Sequence, residues 1–104
     1  MIDLKQIQKD VYQNKTDKGF NVTDINKEFC LTYGEMAEAY EAWCKKKDDV
    51  GEEIADVVIY LLGLSEILNI DLETEMLKKI NKNKHREYKI IDGVNTRVKE
   101  YKEN

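Results

Sequence analysis

No proline occurs anywhere in the 104 residues of this chain. Proline is the residue that removes a helical donor and clashes with the preceding turn, so nothing here forbids long uninterrupted helices. Only five glycines punctuate the sequence, and the apolar residues between them recur at helical spacing. Ile2, Leu4, Ile7, Val11 and Tyr12 define a first amphipathic helix expected to end near Lys18-Gly19. A loop follows to about Thr23, where either Thr23 or Asp24 can N-cap a second helix over roughly 24–46. On that helix Phe29, Tyr33, Met36, Tyr40 and Trp43 form a stripe. A stripe of this period is more often core than a surface that stacks on a ligand.

Lys45-Lys46-Lys47 suits the end of the second helix, and Asp49-Val50-Gly51-Glu52 has the form of a capping box opening a third, over roughly 50–68. The short connection makes the two helices antiparallel neighbours. The run Val57 to Leu64 is apolar around its whole circumference, which predicts burial on all sides. One small subunit supplies too few neighbours for that, so a homodimer or homotetramer is expected. Asp71 then caps a fourth helix bearing Leu72, Met76, Leu77 and Ile80, with Lys78, Lys79 and Lys82 towards its end. Beyond Arg86, Tyr88-Lys89-Ile90-Ile91, the Asp92-Gly93 pair and Val94 to Val98 predict a two-stranded hairpin. The expected fold is all-α: one domain over 1–104, a four-helix bundle over about 1–86 and a small β-hairpin tail over about 87–104.

Composition narrows the function. Seventeen basic residues against 21 acidic ones give a net charge of −4, which offers no positive field for nucleic acid and disfavours such a partner. The longest apolar run is far short of a membrane span and the N-terminus lacks a signal-peptide pattern, so a cytoplasmic protein with no membrane partner is expected. Cys30 and Cys44 lie on one helix about 21 Å apart, too far for a disulfide, and should be free thiols. The single His, His85, and these two cysteines have no zinc-site spacing.

The chemistry-bearing pattern is acidic. Glu35 and Glu38 are i, i+3 neighbours on the second helix, with Glu28 close to the same face, and Glu53 and Asp56 repeat the spacing on the third. Four carboxylates can therefore converge between antiparallel helices. Such pairs on a helix are usually just a solvated face. Here Leu31, Ala39 and Ala42 fall among the glutamates of the second helix, and Glu53 and Asp56 abut the most apolar run, so partial burial is the simpler inference. Clustered carboxylates losing solvent need a cation, and magnesium, a hard ion taking oxygen ligands, is the natural one.

Glu35-x-x-Glu38 followed by Glu53-x-x-Asp56, within Gly34 to Glu41 and Glu52 to Leu61, resembles the metal-binding signature of the MazG-like all-α nucleoside triphosphate pyrophosphohydrolases. Ile70-Asp71-Leu72 and Lys79-x-Asn81-x-Asn83-x-x-Arg86 are similar to that family's third element, so the likeness spans about residues 25–88. The resemblance implies that Glu35, Glu38, Glu53 and Asp56 are the catalytic metal ligands, holding Mg²⁺ with Mn²⁺ as a substitute. A metal-activated water would then cleave a ribo- or deoxyribonucleoside triphosphate to monophosphate and pyrophosphate. Lys79, Asn83 and Arg86 would contact the substrate's phosphates. A second register places Thr32 and Glu35 in the first motif and leaves Glu38 accessory; the register retaining both glutamates is preferred. The alternatives are a catalytically weak nucleotide-binding or regulatory bundle, and a structural helical dimer whose acids face solvent.

Overall fold

The computed structural model describes residues 1–100. The chain runs α1 (Leu4–Asp17), α2 (Ile25–Cys44), α3 (Val50–Ile67), α4 (Leu72–His85), β1 (Glu87–Ile91) and β2 (Val94–Lys99). Four helices followed by one antiparallel hairpin is the helical-bundle class expected from the sequence. The chain divides into two compact units, residues 1–72 and Glu73 onward. In the first, α1 and α2 both pack on α3. The second holds nearly all of α4 together with the hairpin.

Helix boundaries follow from capping chemistry. Asp3 and Asp24 have extended backbones and accept from the amides of Gln6 and Lys27, each at 3.1 Å. Three helices end in the same left-handed cap, in which the second residue past the C-cap donates its amide to the carbonyl five residues back. These bonds are Phe20 to Lys15 at 2.9 Å, Lys47 to Ala42 at 2.9 Å and Ile70 to Ser65 at 2.8 Å. The left-handed residue is glycine only in the first, at Gly19 (φ 70°); Lys46 and Asn69 take that conformation in the others. The α2–α3 turn is accordingly short. The expected capping box at α3 does not form: Asp49 stands at the N-cap with φ −99° and ψ 15° and makes no capping hydrogen bond with its side chain. Its backbone is not extended, so the carboxylate does not fold back over the first turn.

The core of the first unit departs from the apolar periodicity. On α2 the buried residues are Glu28, Ala39 and Ala42, whereas Phe29, Tyr33, Met36, Tyr40 and Trp43 are all exposed, Tyr40 and Trp43 at 66% each. The aromatic stripe is thus not this subunit's core. Tyr40 and Trp43 stack on each other with centroids 6.2 Å apart. Nor is the α3 run buried all round: Val57, Leu62 and Leu64 are buried, but Val58, Ile59 and Leu61 remain between 42% and 47% exposed. Only α1 and α2 cover α3 within its unit, and two neighbours cannot enclose a whole circumference. Cys30 and Cys44 are free and exposed, as expected.

Polar residues occupy the centre instead. Lys15 of α1 is buried and its ammonium donates to both carboxylate oxygens of Glu28 at 3.1 Å. Asn21 adds a third bond to Glu28 at 3.1 Å. The same ammonium lies 5.1 Å from the Tyr60 ring centroid, a cation–π contact reaching α3. Gly63 admits the lysine stem: a Cβ there would come within 3.1 Å of Lys15 Cδ. At the other end of α1, buried Gln8 donates to Glu66 at 2.8 Å and to the Ile70 carbonyl at 2.6 Å, and accepts from the Leu72 amide at 3.3 Å.

In the second unit the hairpin pairs Ile91 with Val94 and Ile90 with Asn95 across a two-residue turn. Asp92 (φ 52°) and Gly93 (φ 76°) both take the positive φ that a type I′ turn requires.

A buried ion pair is costly to break by halves, because the surviving charge is left unpaired away from water. Lys15→Met is therefore expected to lower the unfolding free energy by about 3–5 kcal/mol. The double variant Lys15→Met/Glu28→Leu should recover most of the loss. Urea denaturation of the three proteins measures both.

Candidate metal centre

α2 and α3 bring three acids together. One carboxylate oxygen from each of Glu35, Glu38 and Glu53 lies within 4.8 Å of the other two. Glu35 and Glu53 are half-buried, while Glu38 is exposed at the rim. The geometry is a consequence of small residues: Ala39 and Ala42 are buried on α2 beside the glutamates, which lets the antiparallel helices approach closely.

Asp56 stands outside this group of three, yet its charge bears on both Glu35 and Glu53. A residue that sequence reasoning placed elsewhere joins it. Asp49, which makes no cap bond, exerts the largest effect of any neighbouring charge on Glu53, second only to burial. Asp49 Oδ1 and Glu53 Oε2 are both buried without a hydrogen-bond partner. The failure of a cap bond at Asp49 is visible only in the fold; the sequence fits capping and ligation equally well.

The electrostatics record unneutralised charge. Burial pushes the Glu35 carboxyl above its ordinary range, and the charges of Glu38, Asp56 and Glu53 push it further, along with a hydrogen bond to Glu38. Burial, then Asp49, Glu38, Asp56 and Glu52 raise Glu53 in the same way. Tyr60, one turn beyond Asp56, is raised by burial first and then by the charges of Glu35, Glu28, Asp56 and Glu38. The Glu35 and Glu53 shifts have the same origin, carboxylates brought together and partly withdrawn from water, which a bound cation would offset.

The donor set fits magnesium. It consists of carboxylate oxygens with no His or Cys in the group, and one oxygen of Glu53 and one of Asp49 are buried without a partner. Glu28, although on the same side of α2, is taken by Lys15 and Asn21 and belongs to the core. The Thr32 hydroxyl donates to the Glu28 carbonyl at 2.8 Å.

Lys79, Asn83 and Arg86 lie in the second unit. Asn83 and Arg86 share a hydrogen bond at 3.1 Å, and Arg86 pairs with Glu100. That bond with Glu100 raises Arg86 above its usual value, whereas burial and then the Arg86 charge lower Lys79. Asn83 thus contacts Arg86 directly, and the Arg86 charge bears on Lys79. His85 is exposed and its ring nitrogen Nδ1 meets the Asn81 carbonyl at 2.8 Å.

Fold and site together define a helical protein with an interhelical carboxylate centre suited to a hard divalent cation. The sequence pattern of the MazG-like family matches residues 27–103, which takes in α2, α3, α4 and the hairpin. The chain belongs to the MazG-like family. No curated protein and no solved structure matches it significantly. Among the described residues no helix is long and apolar enough to cross a membrane.

The raised carboxyls set a pH dependence. An acid whose pKa is higher folded than unfolded keeps its proton better in the folded state, so its stabilising effect is present at low pH. That effect is lost as pH rises from the ordinary carboxylate value through the raised one. Metal-free protein should therefore lose melting temperature across that interval more steeply than Glu35→Gln does. Saturating Mg²⁺ should flatten the wild-type curve. Thermal melts between about pH 4 and 7.5, with chelator or with Mg²⁺, read the difference.

Proposed function

We propose that this chain is a magnesium-dependent nucleoside triphosphate pyrophosphohydrolase, converting a ribo- or deoxyribonucleoside triphosphate to its monophosphate and pyrophosphate, in nucleotide-pool housekeeping. The observation that carries the reading is the convergence of Glu35, Glu38 and Glu53 from two antiparallel helices, with Asp56 beside them, in a member of the MazG-like family. Mg²⁺ is the cofactor this oxygen set suits, and Mn²⁺ is a workable substitute. When bound it would offset polyphosphate charge and lower the pKa of water.

The protein's own groups divide the remaining work. Glu35, Glu53 and Glu38 hold the cation, and Asp49 and Asp56 flank them with further acceptor oxygens. A half-buried carboxylate at this centre, Glu35 or Glu53, would take a proton from an attacking water. Within the second unit Lys79, Asn83 and Arg86 are of the kind that contacts phosphate, Arg86 being able to do so in bidentate fashion in place of its pairing with Glu100.

The same reading includes a second copy of the chain. The exposed stripe on α2 and the uncovered Ile54, Val58 and Leu61 of α3 form more apolar surface than a monomer ordinarily leaves in water. Self-association as a homodimer or homotetramer covers it. A second reading, nucleotide binding without turnover, is favoured by one observation: Asp56 stands outside the group of three.

Purified protein with Mg²⁺ is expected to release pyrophosphate from at least one nucleotide in a panel of common and modified triphosphates. Glu38→Gln and Asp56→Asn should each cut the rate by about 100-fold or more, since even groups behind the ligands are worth 10–100-fold. Binding without pyrophosphate release would select the second reading. Sedimentation velocity should find a dimer or tetramer, shifted to monomer by Tyr33→Glu/Val58→Glu.

A further inference from the structure

The first unit contains a cavity of 380 Å³ between α1 and α3, walled by Ile7, Val11, Phe20, Ile59 and Tyr60, with Asp10, Asn14 and the Lys15 stem at its polar side. Its size is that of a small-ligand pocket. Two facts tie it to the acidic centre. Ile59 and Tyr60 follow Asp56 by three and four residues on α3, so the inner wall lies one helical turn, about 5–6 Å along the axis, from Asp56. Tyr60 also lies within the field of Glu35 and Asp56.

The lining selects the kind of group that fits. Phe20 is 56% exposed on the loop after α1 although aromatic, and with Tyr60 it lines the cavity with rings of the kind that stack on a planar guest. The only cation at the wall, Lys15, is committed to Glu28 and to the Tyr60 ring, which leaves no positive charge to attract phosphate. Asp10 and Asn14 stand at i, i+4 and so share one face of α1. The Gln6 amide donates to Asp10 Oδ1 at 2.9 Å, orienting a carboxylate whose remaining lone pairs accept and never donate. A flat, uncharged guest with hydrogen-bond donors on its edge, beside the helix that carries Glu53 and Asp56, is a nucleobase.

Building on the pyrophosphohydrolase reading, we infer that this cavity receives the substrate's base, and that Asp10, with Asn14, selects a base carrying an exocyclic amino group over its keto counterpart. A carboxylate accepts from an amino group as it does from cytosine N4, but meets a carbonyl at the same edge with repulsion. A site built on such a bond discriminates strongly, because the wrong base leaves the acceptor unpaired. All the α1 residues, and Phe20, precede the family-matched segment 27–103. The chain's base preference is thereby set outside the part it shares with the family.

The test is calorimetric titration of the Mn²⁺-loaded protein with non-hydrolysable α,β-imido analogues of dCTP and dUTP, and of dATP and dITP. In the pair bound more tightly, the amino base should lead by about tenfold or more, and Asp10→Asn should abolish or reverse that order. Phe20→Ala, a change at an exposed loop position, should weaken both members about tenfold by removing a stacking face, with Mn²⁺ affinity unchanged. Equal affinities within both pairs, or variants that bind like wild type, overturn the base pocket while pyrophosphate release by wild type leaves the enzyme reading standing. Failure of wild type to bind any analogue, with no pyrophosphate released, overturns both.

Discussion

The contact on which the first unit depends is the buried pair between Lys15 and Glu28. It joins α1 to α2 through two 3.1 Å bonds and reaches α3 through the Tyr60 ring and the notch at Gly63. An ammonium and a carboxylate withdrawn from water are tolerable only while each satisfies the other. The arrangement of three helices is therefore specified far more narrowly than greasy contact alone would specify it. Gln8 repeats the device at the opposite end of α1, tying it to Glu66, Ile70 and Leu72.

That polar centre explains why the acids meet. With Glu28 neutralised, the next acids along α2 face α3 beside the buried Ala39 and Ala42, and their charge has no internal cation to answer it. The strain shows in the raised carboxyls of Glu35 and Glu53 and in the buried unpartnered oxygens of Asp49 and Glu53. One interhelical seam thus holds two solutions to the same problem. At one end a lysine neutralises a glutamate, and at the other Glu35, Glu38 and Glu53 stand together, the group to which the proposed cation is assigned.

Large apolar side chains lie mostly outside this seam. Tyr33, Met36, Tyr40 and Trp43 on α2, with Ile54, Val58 and Leu61 on α3, are exposed within the chain. Surface of this kind is used in association, which agrees with the proposal of a homo-oligomer. The cavity beside Tyr60 is a separate matter, since its walls are only partly apolar and its polar residues point to a smaller guest.

Helix order, the hairpin and the spacing of the acids were open to view in the amino-acid sequence, because each rests on local rules. Asp3 and Asp24 cap where short polar acceptors should, Asp92-Gly93 adopts the turn its positive φ values allow, and i, i+3 spacing places paired acids on one helix face. Which face of α2 turns inward was decided only by tertiary packing. Hydrophobic periodicity favoured the aromatic stripe, but the inward face carries Glu28, Ala39 and Ala42, since a lysine fifteen residues into the chain neutralises the glutamate and small side chains admit α3. The release of Asp49 from capping, the position of Asp56 beside rather than within the group of three, and the cavity under Phe20 depend likewise on contacts between helices. Such contacts leave no period in a linear sequence, because the residues that make them are far apart along the chain.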